Sequence, residues 1–113
     1  MVEKERRQIP RYPFIANAEL VEERSDMRIA IRVSELSLGG CYLDMMNPLP
    51  LGTLVRVKIS TGVDFFEAKA EILYSLARPG GVGLRFIDVE PEYRAVLQGW
   101  LEKAEKDRKR SLS

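Results

Sequence analysis

The sequence is most informative for what it lacks: among its 113 residues there is no histidine and one cysteine. Without histidine, neither a typical zinc site nor a histidine-dependent nucleophile can be assembled, and one cysteine cannot form an intrachain disulfide. No GxxxxGK loop for phosphate transfer is present either. We therefore expect no catalytic residues, no metal and no cofactor, and predict that the protein is not an enzyme; the absences leave open only a mechanism that uses carboxylates alone.

Long apolar runs and a charge imbalance are also missing. No run approaches the roughly 20 residues of a membrane-spanning helix, and the N-terminus lacks the apolar core of a secretory signal. The formal net charge of +1 provides no overall attraction to nucleic acid or to membranes. These features predict a single cytoplasmic domain with no membrane insertion and no nucleic-acid polymer as its partner.

Alternating apolar and polar residues predict β-strands through most of the chain. In residues 53–60, three β-branched residues alternate with charged ones, as expected for a sheet with one face in water. Residues 66–74 alternate in the same way; their composition also suits a helix, but TG before them and RPGG after them favour a strand between turns. The other predicted strands are residues 14–23, 27–36, 41–45 and 81–88. Six or seven such strands suit an antiparallel barrel or a sandwich.

The pattern changes to a helical one at Pro91, a residue type that suits the first turn of a helix. The apolar residues that follow share one helix face: Tyr93, Val96, Leu97, Trp100, Leu101 and Ala104. We expect a helix over about residues 91–107 that packs this face on the sheet, with Trp100 in the core. Residues 106–113 lose the apolar pattern and predict a frayed basic tail. Cys41 is expected to be a small buried apolar residue.

The stretch RRQIPR contains Arg6, Arg7 and Arg11. Arg7 and Arg11 have the spacing of neighbours on a helix, but Pro10 favours extended backbone, so we predict a loop. The three guanidiniums are either a solvated basic end or a site that reads anions and bases.

The stretch SELSLGG, residues 34–40, places a carboxylate, a hydroxyl and two glycines at the end of a predicted strand. Glycine permits a tight turn and lets a ligand approach the backbone closely. The stretch is therefore either a hairpin turn alone or a turn that also contacts a ligand.

Together, the two stretches resemble the signature of the PilZ domain family, bacterial receptors for the second messenger cyclic di-GMP. The family is marked by RxxxR in a flexible N-terminal segment and by (D/N)xSxxG at a turn between two strands; these patterns fall on residues 7–11 and 35–40. GVGLRFID and the helix after it resemble the family's last strand and closing helix, so the resemblance covers nearly the whole chain. It implies a six- or seven-stranded antiparallel β-barrel with a C-terminal α-helix over residues 14–105, preceded by a flexible ligand-binding segment over residues 1–13.

The resemblance also implies a nucleotide-binding site for cyclic di-GMP. An arginine fork pairs with O6 and N7 of guanine or with a phosphate, the serine contacts a phosphate, ribose or base, and the side chain at position 35 accepts from guanine N–H groups. Gly40 lets the turn close, and Arg6, just before RxxxR, implies two intercalated ligand molecules. The site residues expected from the resemblance are Arg6, Arg7, Arg11, Glu35, Ser37, Gly39 and Gly40.

Glu35 departs from the family pattern, which has Asp or Asn at this position. Its extra methylene misplaces the carboxylate by about 1 Å, which could cost on the order of 1–3 kcal/mol, or roughly ten- to a hundredfold in affinity. Asp44 in the next strand is a candidate replacement. The alternative hypothesis is a PilZ-type adaptor that binds no nucleotide and acts only through protein contacts. Both hypotheses include a protein partner that the sequence does not identify.

Overall fold

The computed structural model describes residues 9–76 and 80–112, and these residues form a closed β-barrel with one helix. The elements in chain order are β1 (Arg11–Glu22), β2 (Arg28–Ser37), β3 (Gly40–Asp44), β4 (Leu54–Ser60), β5 (Phe65–Leu76), β6 (Gly81–Asp88) and α1 (Pro91–Leu112). Neighbouring strands are antiparallel in the order β1-β2-β3-β6-β5-β4, and β4 pairs with β1 to close the barrel. The predicted all-β barrel with a C-terminal helix is confirmed, with six strands.

The barrel interior is filled by the inward faces of the strands. The predicted alternation in β4 and β5 is confirmed, because Val57 lies opposite Ala68 and Ile59 lies opposite Phe66, and all four are buried. Cys41 is buried as predicted, and desolvation raises the pKa of its thiol to about 12. Because the thiolate is the reactive form, this cysteine is an inert core residue.

The helix α1 covers the barrel with the face predicted from the sequence. Leu97 is buried, and the half-buried ring of Trp100 stacks on Phe14 of β1 with 5.3 Å between ring centroids. Trp100 therefore packs against the core, as predicted. No helix among the described residues has both the length and the apolar character that crossing a membrane requires.

Two predicted boundaries are wrong. The helix continues to Leu112, so the tail predicted over residues 106–113 is helical through that residue. Arg108 pairs with Glu105 one turn earlier, and basic residues in the last turn favour the negative end of the helix dipole.

The barrel also begins earlier than residue 14, since β1 starts at Arg11. The first part of β1, before residue 17, pairs with β2 alone, because the pairing of β1 with β4 covers only residues 17–22. A proline is tolerated in a strand whose N–H side has no neighbour, which explains why Pro13 does not end β1.

Candidate ligand-binding site

A β-bulge in β2 turns the second motif toward the outside of the barrel. Val33 pairs with Leu43 and Glu35 pairs with Tyr42, so Ser34 has no counterpart in β3. Strict alternation would place Glu35 on the core side together with Val33. The extra residue instead directs Glu35 outward and Leu36 into the core, where Leu36 is fully buried.

A second bulge has the same effect in β5. Ile72 pairs with Leu84 and Tyr74 pairs with Gly83, which leaves Leu73 without a counterpart in β6. Ile72 is buried in the core, so strict alternation would bury Tyr74 as well. Because of the bulge, Tyr74 lies on the outer face of the barrel and is 36% exposed.

The two bulges lie on either side of an open groove on the outer face of β2, β3, β6 and β5. Cross-strand pairing places Glu35, Tyr42, Gly83 and Tyr74 in one row across these four strands. Side chains of directly paired residues lie on the same face of a sheet and contact one another. The row therefore joins an acidic motif residue to Tyr42 on the next strand and to Tyr74 three strands away.

A cavity of about 580 Å³ occupies this groove. The predicted site residues that line it are Arg11, Glu35, Ser37, Gly39 and Gly40. The cavity is within the roughly 300–1,000 Å³ that is typical of small-molecule sites. The structure thus brings these residues together, whereas Arg6 and Arg7 lie outside the described residues.

Arg11 contributes the basic group of the groove. It pairs directly with Ser37 across the strands, and its Nη1 lies 3.9 Å from Glu35 Oε1. The two side chains are 61% and 43% exposed, so this long ion pair is screened by water and is worth at most about 1 kcal/mol. An anionic ligand can therefore recruit the Arg11 guanidinium at little cost.

The turn between β2 and β3 is stabilised by the motif's own residues. The Ser37 hydroxyl donates to the Gly40 carbonyl oxygen and accepts from the Gly40 N–H, both at 3.2 Å. An added Cβ at Gly40 would overlap the carbonyl oxygen of Leu84 in β6, while one at Gly39 would meet nothing within 4 Å. Gly40 is required by the close packing of two strands, and Gly39 leaves open space at the groove.

Asp44, the suggested replacement for the family's Asp or Asn, is engaged elsewhere. Its Oδ2 accepts from Nε and Nη2 of Arg32 at 3.1 and 2.9 Å, and it is not among the residues that line the cavity. The acceptor chemistry in the groove is therefore that of Glu35.

Three polar residues of the groove were not predicted from the sequence: Tyr42, Tyr74 and Arg85. Arg85 Nη2 lies 2.6 Å from Glu71 Oε1 at the groove edge. The Tyr42 hydroxyl is buried and has no hydrogen-bond partner among the described residues. Its pKa is raised, and desolvation is the largest cause. The GVG of β6 is the signal that could have indicated this surface, because alternate glycines leave one face of a strand open to large neighbours.

Metal binding has no candidate site in the part of the chain that the structure describes. No group of three or more His, Cys, Asp or Glu side chains there could hold an ion.

The start of β1, beside Arg11, is joined to the helix by a hydrogen bond. The Tyr12 hydroxyl donates to Glu105 Oε2 at 2.6 Å, and Arg108 donates to both carboxylate oxygens at 2.9 and 3.2 Å. The hydrogen bonds from Arg108, which has the larger effect, and from Tyr12 lower the pKa of Glu105 from 4.5 to about 2. The same bond raises the pKa of Tyr12, because donation requires the protonated phenol.

We expect the contribution of this contact to stability to depend on pH. The folded-state pKa of Glu105 is depressed, so its stabilisation is complete above pH 4.5 and is lost as pH falls toward about 2. Glu105→Gln should therefore lower the free energy of unfolding at neutral pH, and its difference from the wild type should shrink across this window. Denaturant titrations at several pH values test this, with Glu102→Gln as the control for loss of one charge on the same helix. A difference that stays constant with pH would contradict the assignment.

A small antiparallel barrel with a polar and aromatic groove on its outer face defines the class of this protein. The sequence model of the PilZ domain matches residues 5–103, so the chain belongs to the PilZ domain family. Comparison with curated proteins gave no significant match.

Solved structures support the fold. The chain is similar to the PilZ domain of YcgR from Escherichia coli, with c-di-GMP, at a TM-score of 0.75 and 17% identity, covering 95% of this chain and 97% of that one. It is also similar to the PilZ domain of CeSA from a cellulose-synthesizing bacterium, at a TM-score of 0.65, 16% identity and coverage of 80% and 97%. A third similar structure is the Bacillus subtilis inhibitor of motility, MotI/DgrA, at a TM-score of 0.74, 14% identity and coverage of 88% and 51%.

Proposed function

We propose that this PilZ domain is a receptor for cyclic di-GMP that binds the ligand in the outer groove of the barrel. The observation that carries the proposal is the presence of Arg11, Glu35 and Ser37 around one cavity of about 580 Å³. The similarity to the YcgR domain, whose structure contains c-di-GMP, supports the same ligand class. The proposed activity is binding, without turnover of the ligand.

The chemistry of the groove suits a dinucleotide with guanine bases. A guanidinium fork accommodates either the O6 and N7 acceptors of guanine or a phosphate, and the exposed fork of Arg11 is available for both. The Glu35 carboxylate can accept from guanine N–H groups. Ser37 can donate to a phosphate oxygen in place of the Gly40 carbonyl.

The segment before β1 is proposed to complete the site. Arg6 and Arg7 would add two guanidiniums, and Arg6 would allow two intercalated ligand molecules to bind. We propose that residues 1–10 close over the ligand and so change the surface that a partner protein contacts, a disorder-to-order switch. Amide exchange checks this: exchange in residues 1–10 should slow when ligand is present, and equal rates in both states would contradict the switch.

Calorimetric titration of cyclic di-GMP into the full chain tests the receptor proposal. We expect micromolar or tighter binding, with two ligand molecules per chain. Arg11→Ala should weaken binding by at least about tenfold, because a charge-assisted hydrogen bond contributes roughly 1.5–3 kcal/mol. Arg28→Ala is the matched control, since Arg28 is an exposed arginine of β2 that is not among the cavity-lining residues.

Glu35→Asp separates the receptor from the adaptor hypothesis. Shortening the side chain restores the family pattern and withdraws the carboxylate from Arg11, so we expect binding about tenfold tighter than wild type. If the wild type gives no heat and Glu35→Asp binds, the natural chain is an adaptor that acts only by protein contact. If neither binds, the receptor proposal is wrong.

A further inference from the structure

The aromatic surface of the groove is built on two glycines of β6. An added Cβ at Gly83 would overlap the ring of Tyr74, and one at Gly81 would overlap the ring of Tyr42. The hydroxyl end of each phenol therefore lies against a glycine, in the space that a side chain of β6 would otherwise fill. Both phenol groups therefore pack on β6 from the outside of the barrel.

The two rings form one continuous surface. Their centroids are 6.3 Å apart with an interplanar angle of 33°, within the usual range for aromatic pairs. Tyr42 is the more buried member and supports Tyr74, whose ring is 36% exposed and lines the cavity. Of the two tyrosines, Tyr74 is therefore the one that offers more exposed aromatic surface to the groove.

The position of this surface relative to the motif residues indicates what it contacts. Glu35 and Tyr74 are at the two ends of one row of paired residues, three interstrand spacings apart. At roughly 4.8 Å for each spacing, the row is about 14 Å long, comparable with a cyclic dinucleotide. Glu35 and Arg11 can form hydrogen bonds to the edge of a base or to phosphate, but the described motif residues include no aromatic side chain on which a base could stack.

We propose that Tyr74 is the stacking platform for a guanine base of the ligand, held in place by Gly83 and Tyr42. The inference rests on the proposed function and adds a residue outside both motifs to it. Stacking between a base and an aromatic ring depends on the π face and little on the base edge, so Tyr74 contributes affinity while the arginines select guanine.

Titration and proton NMR of the complex with cyclic di-GMP test this role. Tyr74→Leu should weaken binding by about tenfold or more, because stacking contributes roughly 1–3 kcal/mol for each base. Tyr74→Phe keeps the ring and should bind within about twofold of wild type. A ring above the base should also shift guanine H8 upfield in the wild-type and Tyr74→Phe complexes, and this shift should be smaller for Tyr74→Leu.

Gly83→Ala provides a second variant that keeps the tyrosine but displaces its ring, so it should also weaken binding and reduce the H8 shift. Phe65→Leu is the matched control, because Phe65 is an exposed aromatic residue of the same strand and is not among the cavity-lining residues. Equal affinity and an equal H8 shift in wild type and Tyr74→Leu would overturn the stacking role and leave the receptor proposal intact. Absence of binding by the wild type would overturn both.

Discussion

Replacing Phe66 with alanine is expected to lower the free energy of unfolding by about 3–5 kcal/mol. The Phe66 side chain is fully buried, and its ring lies 4.9 Å from Phe86 of β6 and 6.4 Å from Trp100 of α1, measured between centroids. The ring therefore joins the barrel wall to the helix. Removing it leaves a cavity at this junction and also removes three aromatic contacts, the third of them with Tyr93.

Chemical denaturation of the purified variants checks this expectation, with Phe65→Ala as the control. Phe65 is the neighbouring residue in β5 but is 44% exposed, and it packs on Tyr93 and beneath the Lys58 ammonium. Its loss should cost about 1 kcal/mol. Similar losses for the two variants would mean that the core does not depend on the ring of Phe66.

The elements with uninterrupted patterns could be predicted from the sequence. β4 alternates without a break, and β6 was predicted over the same residues that the structure gives it. The face of α1 also followed directly from its apolar spacing. One period holds through β4, through residues 82–86 of β6 and through residues 93–104 of α1, and there the local pattern agrees with tertiary burial.

The outer groove could be predicted only in part, and the two bulges give the reason. In β5, every second residue from Phe66 to Ile72 faces the core. If this alternation continued, Tyr74 would face the core as well. The extra residue at Leu73 reverses that assignment, and nothing in the sequence marks Leu73 as unpaired. Ser34 has the same effect before Glu35. Glu35 was identified through its motif, whereas Tyr74 belongs to no motif and was missed.

The location of the two bulges also explains which side chains face the groove. A bulge inserts one residue in one strand, bends it locally and redirects the side chain that follows. Here Glu35 and Tyr74 both follow a bulge, and both face the same cavity. The groove thus combines polar and aromatic side chains on a face that the unbroken strand pattern would have left without them.

The second large effect is expected for Gly40→Ala, which should lower the free energy of unfolding by about 3 kcal/mol. An added Cβ would overlap the carbonyl oxygen of Leu84 and lie 3.1 Å from its carbonyl carbon. Both atoms belong to the backbone of β6, so no side-chain rotation can relieve the overlap. β3 and β6 must separate where Gly40 pairs with Arg85, at the floor of the groove.

Thermal unfolding of Gly40→Ala and Gly39→Ala provides a matched comparison of adjacent glycines. We expect Gly40→Ala to lower the melting temperature by roughly 10 °C or more and Gly39→Ala to change it little, since the latter Cβ would meet nothing within 4 Å. Equal melting temperatures would contradict the close packing of β3 on β6.

The same two variants also separate the structural role of the motif glycines from their role in ligand binding, because Gly39 lines the cavity without constraining the strands. A loss of ligand affinity in Gly39→Ala with an unchanged melting temperature would show that the ligand approaches the backbone at that residue.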